Sequence, residues 1–116
     1  MKIKEIVHIL DAEVLTGEAY LDRDIEEFAA SDLLSDVLAL SKDNFLLLTG
    51  LTSQQVVRTT EIAGGIGVVF VRGKTPEPET IGLARSHHIP LLMTSKSTFN
   101  ACQAIIEAIN NNKEKI

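Results

Sequence analysis

The hydrophobic positions of this chain change their period as it proceeds. Ile3, Ile6, Val7 and Leu10 recur at spacings of three and four, which predicts a short amphipathic helix over residues 2–10. Residues 12–16 then predict a strand closed by Gly17, and a polar stretch follows to Asp24. Residues 25–29 alternate weakly, as a strand or an extended lead-in. Ser31 has the chemistry of a helix N-cap, because its hydroxyl accepts an orphan amide hydrogen of the first turn. The helix it opens carries Leu33, Leu34, Val37, Leu38 and Leu40 to about Ser41.

Beyond residue 44 the pattern becomes regular. Phe45-Leu46-Leu47-Leu48-Thr49 is uninterrupted and bounded by Asn44 and Gly50, which suits a strand covered on both faces. Thr52, with Gln55 three residues on, resembles a capping box, and its helix runs to about Ala63 before Gly64-Gly65 stops it. Residues 67–71 form a second buried-type strand rich in β-branched side chains. Thr75 then reads as a cap and Pro76 as the first helical residue, with Glu77 and Glu79 near the positive helix end and the helix reaching about His88. Residues 90–94 are the last strand. A final helix from about Lys96 or Ser97 is expected to bury Phe99, Ala101, Cys102, Ile105, Ile106 and Ile109 before a polar, fraying tail over residues 110–116. Strand–helix alternation with short connections predicts an α/β fold, a mainly parallel sheet between helix layers with right-handed crossovers, as one domain over residues 1–116.

Composition narrows the class. A chain of 116 residues matches one domain, and 45% apolar with 23% charged residues excludes disorder. Eleven Lys+Arg against sixteen Asp+Glu leave a net charge of −5, which argues against a nucleic-acid partner. With no tryptophan and one tyrosine, a base-stacking surface is also unexpected. Apolar runs of only about five residues do not span a bilayer, so no membrane partner is expected. The first residues lack the apolar run of a signal peptide. A single cysteine, Cys102, permits no internal disulfide, and a cytoplasmic home is the default expectation.

Candidate chemistry gathers where an open parallel sheet usually binds ligands, beyond the carboxyl ends of its strands. The first end offers Thr49, Gly50, Thr52 and Ser53, the second Arg72, Gly73, Lys74 and Thr75, the third Thr94, Ser95, Lys96 and Ser97. Each leads into a helix N-terminus, which favours an anion. Hydroxyls, two lysines and an arginine on one edge of an acidic chain point to a phosphate or nucleotide, although capping alone selects the same serines and threonines. Gly64-Gly65-Ile66-Gly67 precedes a strand, the reverse of a dinucleotide fingerprint, and no P-loop motif occurs. His87 and His88 point about 100° apart on a helix and read as helix-end residues, not as metal ligands. Cys102 reads as a small buried hydrophobe, and Asp32 and Asp36 as part of a polar helix face. No metal or other cofactor is expected.

The run Ala30-Ser31-Asp32-Leu33-Leu34-Ser35-Asp36-Val37-Leu38-Ala39 resembles the DRTGG domain family, as do Gly73-Lys74-Thr75-Pro76-Glu77-Pro78-Glu79-Thr80-Ile81 and Ile89-Pro90-Leu91-Leu92-Met93-Thr94. The resemblance covers about residues 3 to 109. A literal Asp-Arg-Thr-Gly-Gly is absent: Asp22-Arg23 is followed by Asp24-Ile25, and Thr16-Gly17 lies upstream. The resemblance implies a three-layer α/β/α sandwich similar to the N-terminal domain of HPr kinase/phosphorylase. Members of the family occur alone, attached to phosphate acetyltransferases, or between CBS domains of regulated pyrophosphatases. It thus implies a stand-alone bacterial or archaeal cytosolic protein, regulatory and homodimer-forming, with no catalytic residues to transfer.

The expected function is therefore a non-catalytic regulatory, ligand-sensing and dimerisation module. Its candidate ligand is an anion such as an adenine nucleotide at Thr49, Gly50, Thr52, Ser53, Arg72, Lys74, Thr94, Ser95 and Lys96. The alternatives are a small enzyme acting on a phosphorylated or acyl-phosphate metabolite, and a scaffold subunit for a metabolic enzyme.

Overall fold

Phe45–Thr49 lies inside the sheet because none of its five residues faces water. A computed structural model describes residues 1–114, and side chains through residue 112. The elements are α1 (Ile3–Ile9), β1 (Glu13–Thr16), a 3-10 turn (Glu18–Tyr20), β2 (Glu27–Ala30), α2 (Leu34–Leu38) and β3 (Phe45–Thr49). They continue with α3 (Gln54–Ala63), β4 (Gly65–Phe70), α4 (Pro78–Ser86), β5 (Leu91–Met93) and α5 (Thr98–Glu114). One five-stranded sheet has the order β1-β5-β4-β3-β2. The four strands β2 to β5 are parallel neighbours in chain order, and β1 joins β5 antiparallel, placing Glu13 opposite Met93.

Side-chain alternation divides the core in two. Phe45, Leu47, Val68, Phe70 and Leu91 pack with Val37 of α2, Val56 and Val57 of α3 and Ala84 of α4. Leu46, Leu48, Val69 and Leu92 pack on the opposite face with Ile3 and Ile6 of α1 and Ala101 and Ile105 of α5. Three helices therefore cover one face and two the other. This is what a single crossover hand demands when consecutive strands are laid down in one direction. The three-layer, mainly parallel α/β architecture follows.

Several helix boundaries differ from the local reading, each for a physical reason. Ser31 does not cap α2: its hydroxyl accepts the Leu33 amide at 3.1 Å, and Leu33 stays extended at φ −120°. The helix is only five residues long and buries only Val37, while Leu33 and Leu38 are exposed. Thr52 and Gln55 form no capping box; Ser53 holds the N-cap position, and the Thr52 carbonyl accepts the Thr80 hydroxyl at 2.9 Å. Pro76 is not the first residue of α4. A residue before proline avoids helical backbone, so Pro78 forces Glu77 to stay extended and the helix begins at Pro78 itself. At α5, Ser97 does cap, its Oγ accepting the Asn100 amide at 3.1 Å. That helix continues through Glu114, into the stretch read as a polar tail; residues 115–116 of that tail lie outside the described residues. Phe99 and Ile106, expected inside, are 80% and 56% exposed.

Candidate functional site

Loops after β4 and β5 leave the sheet in opposite directions, one toward α4 and the other toward α5. Such a divergence between neighbouring parallel strands is where open α/β sheets form a ligand crevice. Here the two loops are stitched at their base: the Arg72 amide donates to the Lys96 carbonyl and the Gly73 amide to the Thr94 carbonyl, both at 2.8 Å. The turn over residues 71–74 closes with the Lys74 amide on the Val71 carbonyl at 3.2 Å. Both of its central residues, Arg72 and Gly73, have positive φ, at 60° and 65°. This fold of the backbone lays the Arg72 guanidinium over Gly50, where any Cβ would collide with it. A side chain at position 50 would have to push that guanidinium aside.

The strand ends named from the sequence are thus brought to one edge, but their hydroxyls are not equally free. Thr49 is buried, donates to Asp32 Oδ1 at 3.2 Å and accepts the Leu51 amide at 3.1 Å. Thr94 is buried, donates to the Leu10 carbonyl at 2.8 Å and accepts the Lys96 amide at 3.3 Å. Both serve the loops that carry them. Ser53, Lys74 and Ser95 are exposed, and Thr52 and Lys96 are half-buried. Among the described residues no carboxylate lies within 4.0 Å of the Lys74 or Lys96 ammonium. The Thr75 hydroxyl lies 3.6 Å from Met93 Sδ.

The residue missed by local reading is Asp32. Its Oδ1 accepts the Gly50 amide at 2.7 Å, and its Oδ2 lies 3.7 Å from Arg72 Nη1. The Gly50 hydrogen bond holds its carboxyl below the ordinary carboxylate range; partial burial opposes this, and the Thr49 hydroxyl and Arg72 charge assist it. An internal carboxylate therefore occupies the amide expected to face a ligand. Nothing within a few residues of Asp32 signals this, because its partners are 17, 18 and 40 positions away in sequence.

The histidines lie elsewhere and are separately engaged. His87 Nδ1 is 3.0 Å from Glu61 Oε1, whereas His88 Nδ1 is 2.8 Å from the Tyr20 hydroxyl. Arg23 stacks on the Tyr20 ring at 4.6 Å. Cys102 is half-buried on α5, so it is not the fully buried hydrophobe its position suggested. No group of three or more His, Cys, Asp or Glu able to hold a metal ion occurs among the described residues. No helix among them is long and apolar enough to cross a membrane.

A mainly parallel sheet whose carboxyl edge carries Arg72, Lys74 and Lys96 beside several hydroxyls, covered by three helices and two, defines a small α/β/α module. The chain belongs to the DRTGG domain family, whose model matches residues 5–108. It is similar in fold, with a TM-score of 0.74 and 18% identity, to the CBS and DRTGG domains of the regulatory region of Clostridium perfringens pyrophosphatase, solved with its activator diadenosine tetraphosphate. The likeness covers 90% of this chain and 46% of that one, so the chain spans under half of the solved region. No curated protein matches.

Proposed function

We propose that this chain is a non-catalytic regulatory module that self-associates and senses a small anionic ligand at the carboxyl edge of β4 and β5. The observation that carries the reading is the backbone stitching of the two diverging loops that bear Lys74 and Lys96, neither of which has a carboxylate within 4.0 Å among the described residues, on a chain whose net charge is −5. Positive charge gathered against the overall balance serves to attract an anion. Ser53 at the start of α3 and Ser95 in the β5–α5 loop supply uncharged donors beside it. The ligand class we favour is an adenine nucleotide, supported by the diadenosine tetraphosphate bound in the structurally similar regulatory region. The His87 and His88 imidazoles follow the C-terminal end of α4, which leads into the amino end of β5, so they lie at the opposite end of the sheet from the edge hydroxyls. A regulatory role further implies an enzyme partner in the same compartment, for which the cytoplasm is the natural setting.

Calorimetry with AMP, ADP, ATP and diadenosine polyphosphates tests the site. A charge-assisted contact contributes about 1.5–3 kcal/mol, so Lys96→Ala should weaken binding roughly 10- to 150-fold. No detectable binding at millimolar ligand removes the sensing role. Binding unchanged by both Lys96→Ala and Ser53→Ala places any ligand away from this edge. Turnover of phosphoesters or acyl phosphates that disappears in Lys96→Ala would instead establish an enzyme.

A further inference from the structure

The face carrying only two helices leaves part of its sheet bare. Between β2 and α5 lies a shallow cavity of about 160 Å³, lined by Phe28, Ala30, Leu48, Cys102, Ile106 and Ile109, with Ala29 and Ile105 completing it. A cavity of that volume accommodates a benzene-sized ring. One wall is formed by Cys102, Ile106 and Ile109 on α5, and Phe99 extends the same stripe beyond the cavity, the spacing of three and four keeping all four within about 80° of the helix circumference. The core-facing stripe of the same helix holds Ala101 and Ile105, so these residues form a second apolar seam beside the first. Phe99, at one end of that seam, is 80% exposed.

We infer that this seam and cavity bind a second copy of the chain, α5 lying antiparallel against α5 across a twofold axis. The inference rests on the self-association proposed above and assigns its surface. Charge permits this occupant, and shape selects it. Residues 98–112 contain a single charged side chain, Glu107, and Gln103 Nε2 already donates to it at 3.3 Å. Elsewhere two copies of a −5 chain repel; along this strip they meet with almost no charge to desolvate, as at the core of a protein interface. The surface is also self-complementary. An exposed phenyl ring and a cavity of matching size sit on one face, so a twofold axis lets each copy fill the other's cavity. In that arrangement the partner's Phe99 enters the space between β2 and α5, and Cys102 approaches the axis near the middle of the seam.

Light scattering over a range of concentrations, with a short bismaleimide to link Cys102 across the axis, tests the assignment. The native chain should reach twice its 12.7 kDa mass and cross-link in a concentration-dependent way. Phe99→Glu and Ile106→Glu change exposed side chains, so each should retain its circular dichroism spectrum while weakening association at least tenfold and abolishing the cross-link. Phe99→Ser serves the same purpose if a glutamate variant fails to fold. A mass of 12.7 kDa at several hundred micromolar overturns self-association itself. A dimer that survives both glutamate variants overturns only this surface and leaves self-association standing.

Discussion

Asp32 joins three loops through one carboxylate: its own, the Gly50 turn after β3 and the Arg72 turn after β4. Half its side chain is exposed, so the stabilisation is discounted from that of a buried charged hydrogen bond to about 1 kcal/mol. Because the folded carboxyl has a lowered pKa, this contribution is present above the unfolded value near 3.9 and lost as pH falls through the folded one. Asp32→Asn should therefore lower the urea-unfolding free energy by a constant amount between about pH 5 and 7. The difference from the native chain should shrink below about pH 4; a difference that persists at full size in acid would show that the carboxylate charge is not what matters. If an anion binds this edge, the same substitution removes a competing negative charge and should tighten that binding. Thr49, Gly50, Arg72 and Lys96 were legible as edge residues from their places after apolar runs. Their engagement by Asp32 and one another, and that of Thr94 by the Leu10 carbonyl, was not, because those partners are set by strand order.

Helix ends show a similar division between local and tertiary causes. Gly64 ends α3 at φ 97°, where a glycine signal is expected. Yet α1 and α4 end through Asp11 and His88 at φ 49° and 59°, with no glycine at all. In both, the following residue closes the helix: the Ala12 amide donates to Val7, and the Ile89 amide to Ala84, each at 2.9 Å. Buried Ile89 and half-buried Ala12 are anchored in the core, which holds the strained residue before each. Gly17 is where an element's exit depends on lacking a side chain. It has φ 89°, and a Cβ there would lie 2.5 Å from Pro90 Cα, a backbone atom. Gly17→Ala should destabilise the chain by about 2–4 kcal/mol and displace β1 from β5. A melting temperature unchanged from the native chain would show that the turn relaxes without cost.

The two core clusters share one sheet, with β3 and β4 contributing alternate side chains to each. Neither face can lose its helices without exposing the strands that support the other, so the whole should unfold as one cooperative unit. The Cα radius of gyration, 13.0 Å, is that of a single compact unit of this length, for which about 13 Å is usual. Tyr20, the only tyrosine in a chain without tryptophan, reports on the junction of the 3-10 turn with the end of α4. Its fluorescence and the far-ultraviolet circular dichroism should follow one urea transition with one midpoint. Separate midpoints would mean that β1 and its turn come away first.

The sequence by itself determined the order of elements from β3 onward, the double-sided burial of β3 and β4, and the three strand ends on which polar groups gather. Those features follow from the period of apolar residues and from glycine and proline chemistry, which act over a few positions. Tertiary structure decided what depends on neighbours distant in the chain. It placed β1 antiparallel at the edge beside β5, aimed the Asp32 carboxylate at Gly50 and stacked Arg72 over that glycine. It also left Phe99 and Ile106 outside the core, although their spacing alone matches that of buried residues. Periodicity identifies an apolar stripe; whether anything covers that stripe depends on how many helices the topology supplies to that face, and here it supplies two for five strands.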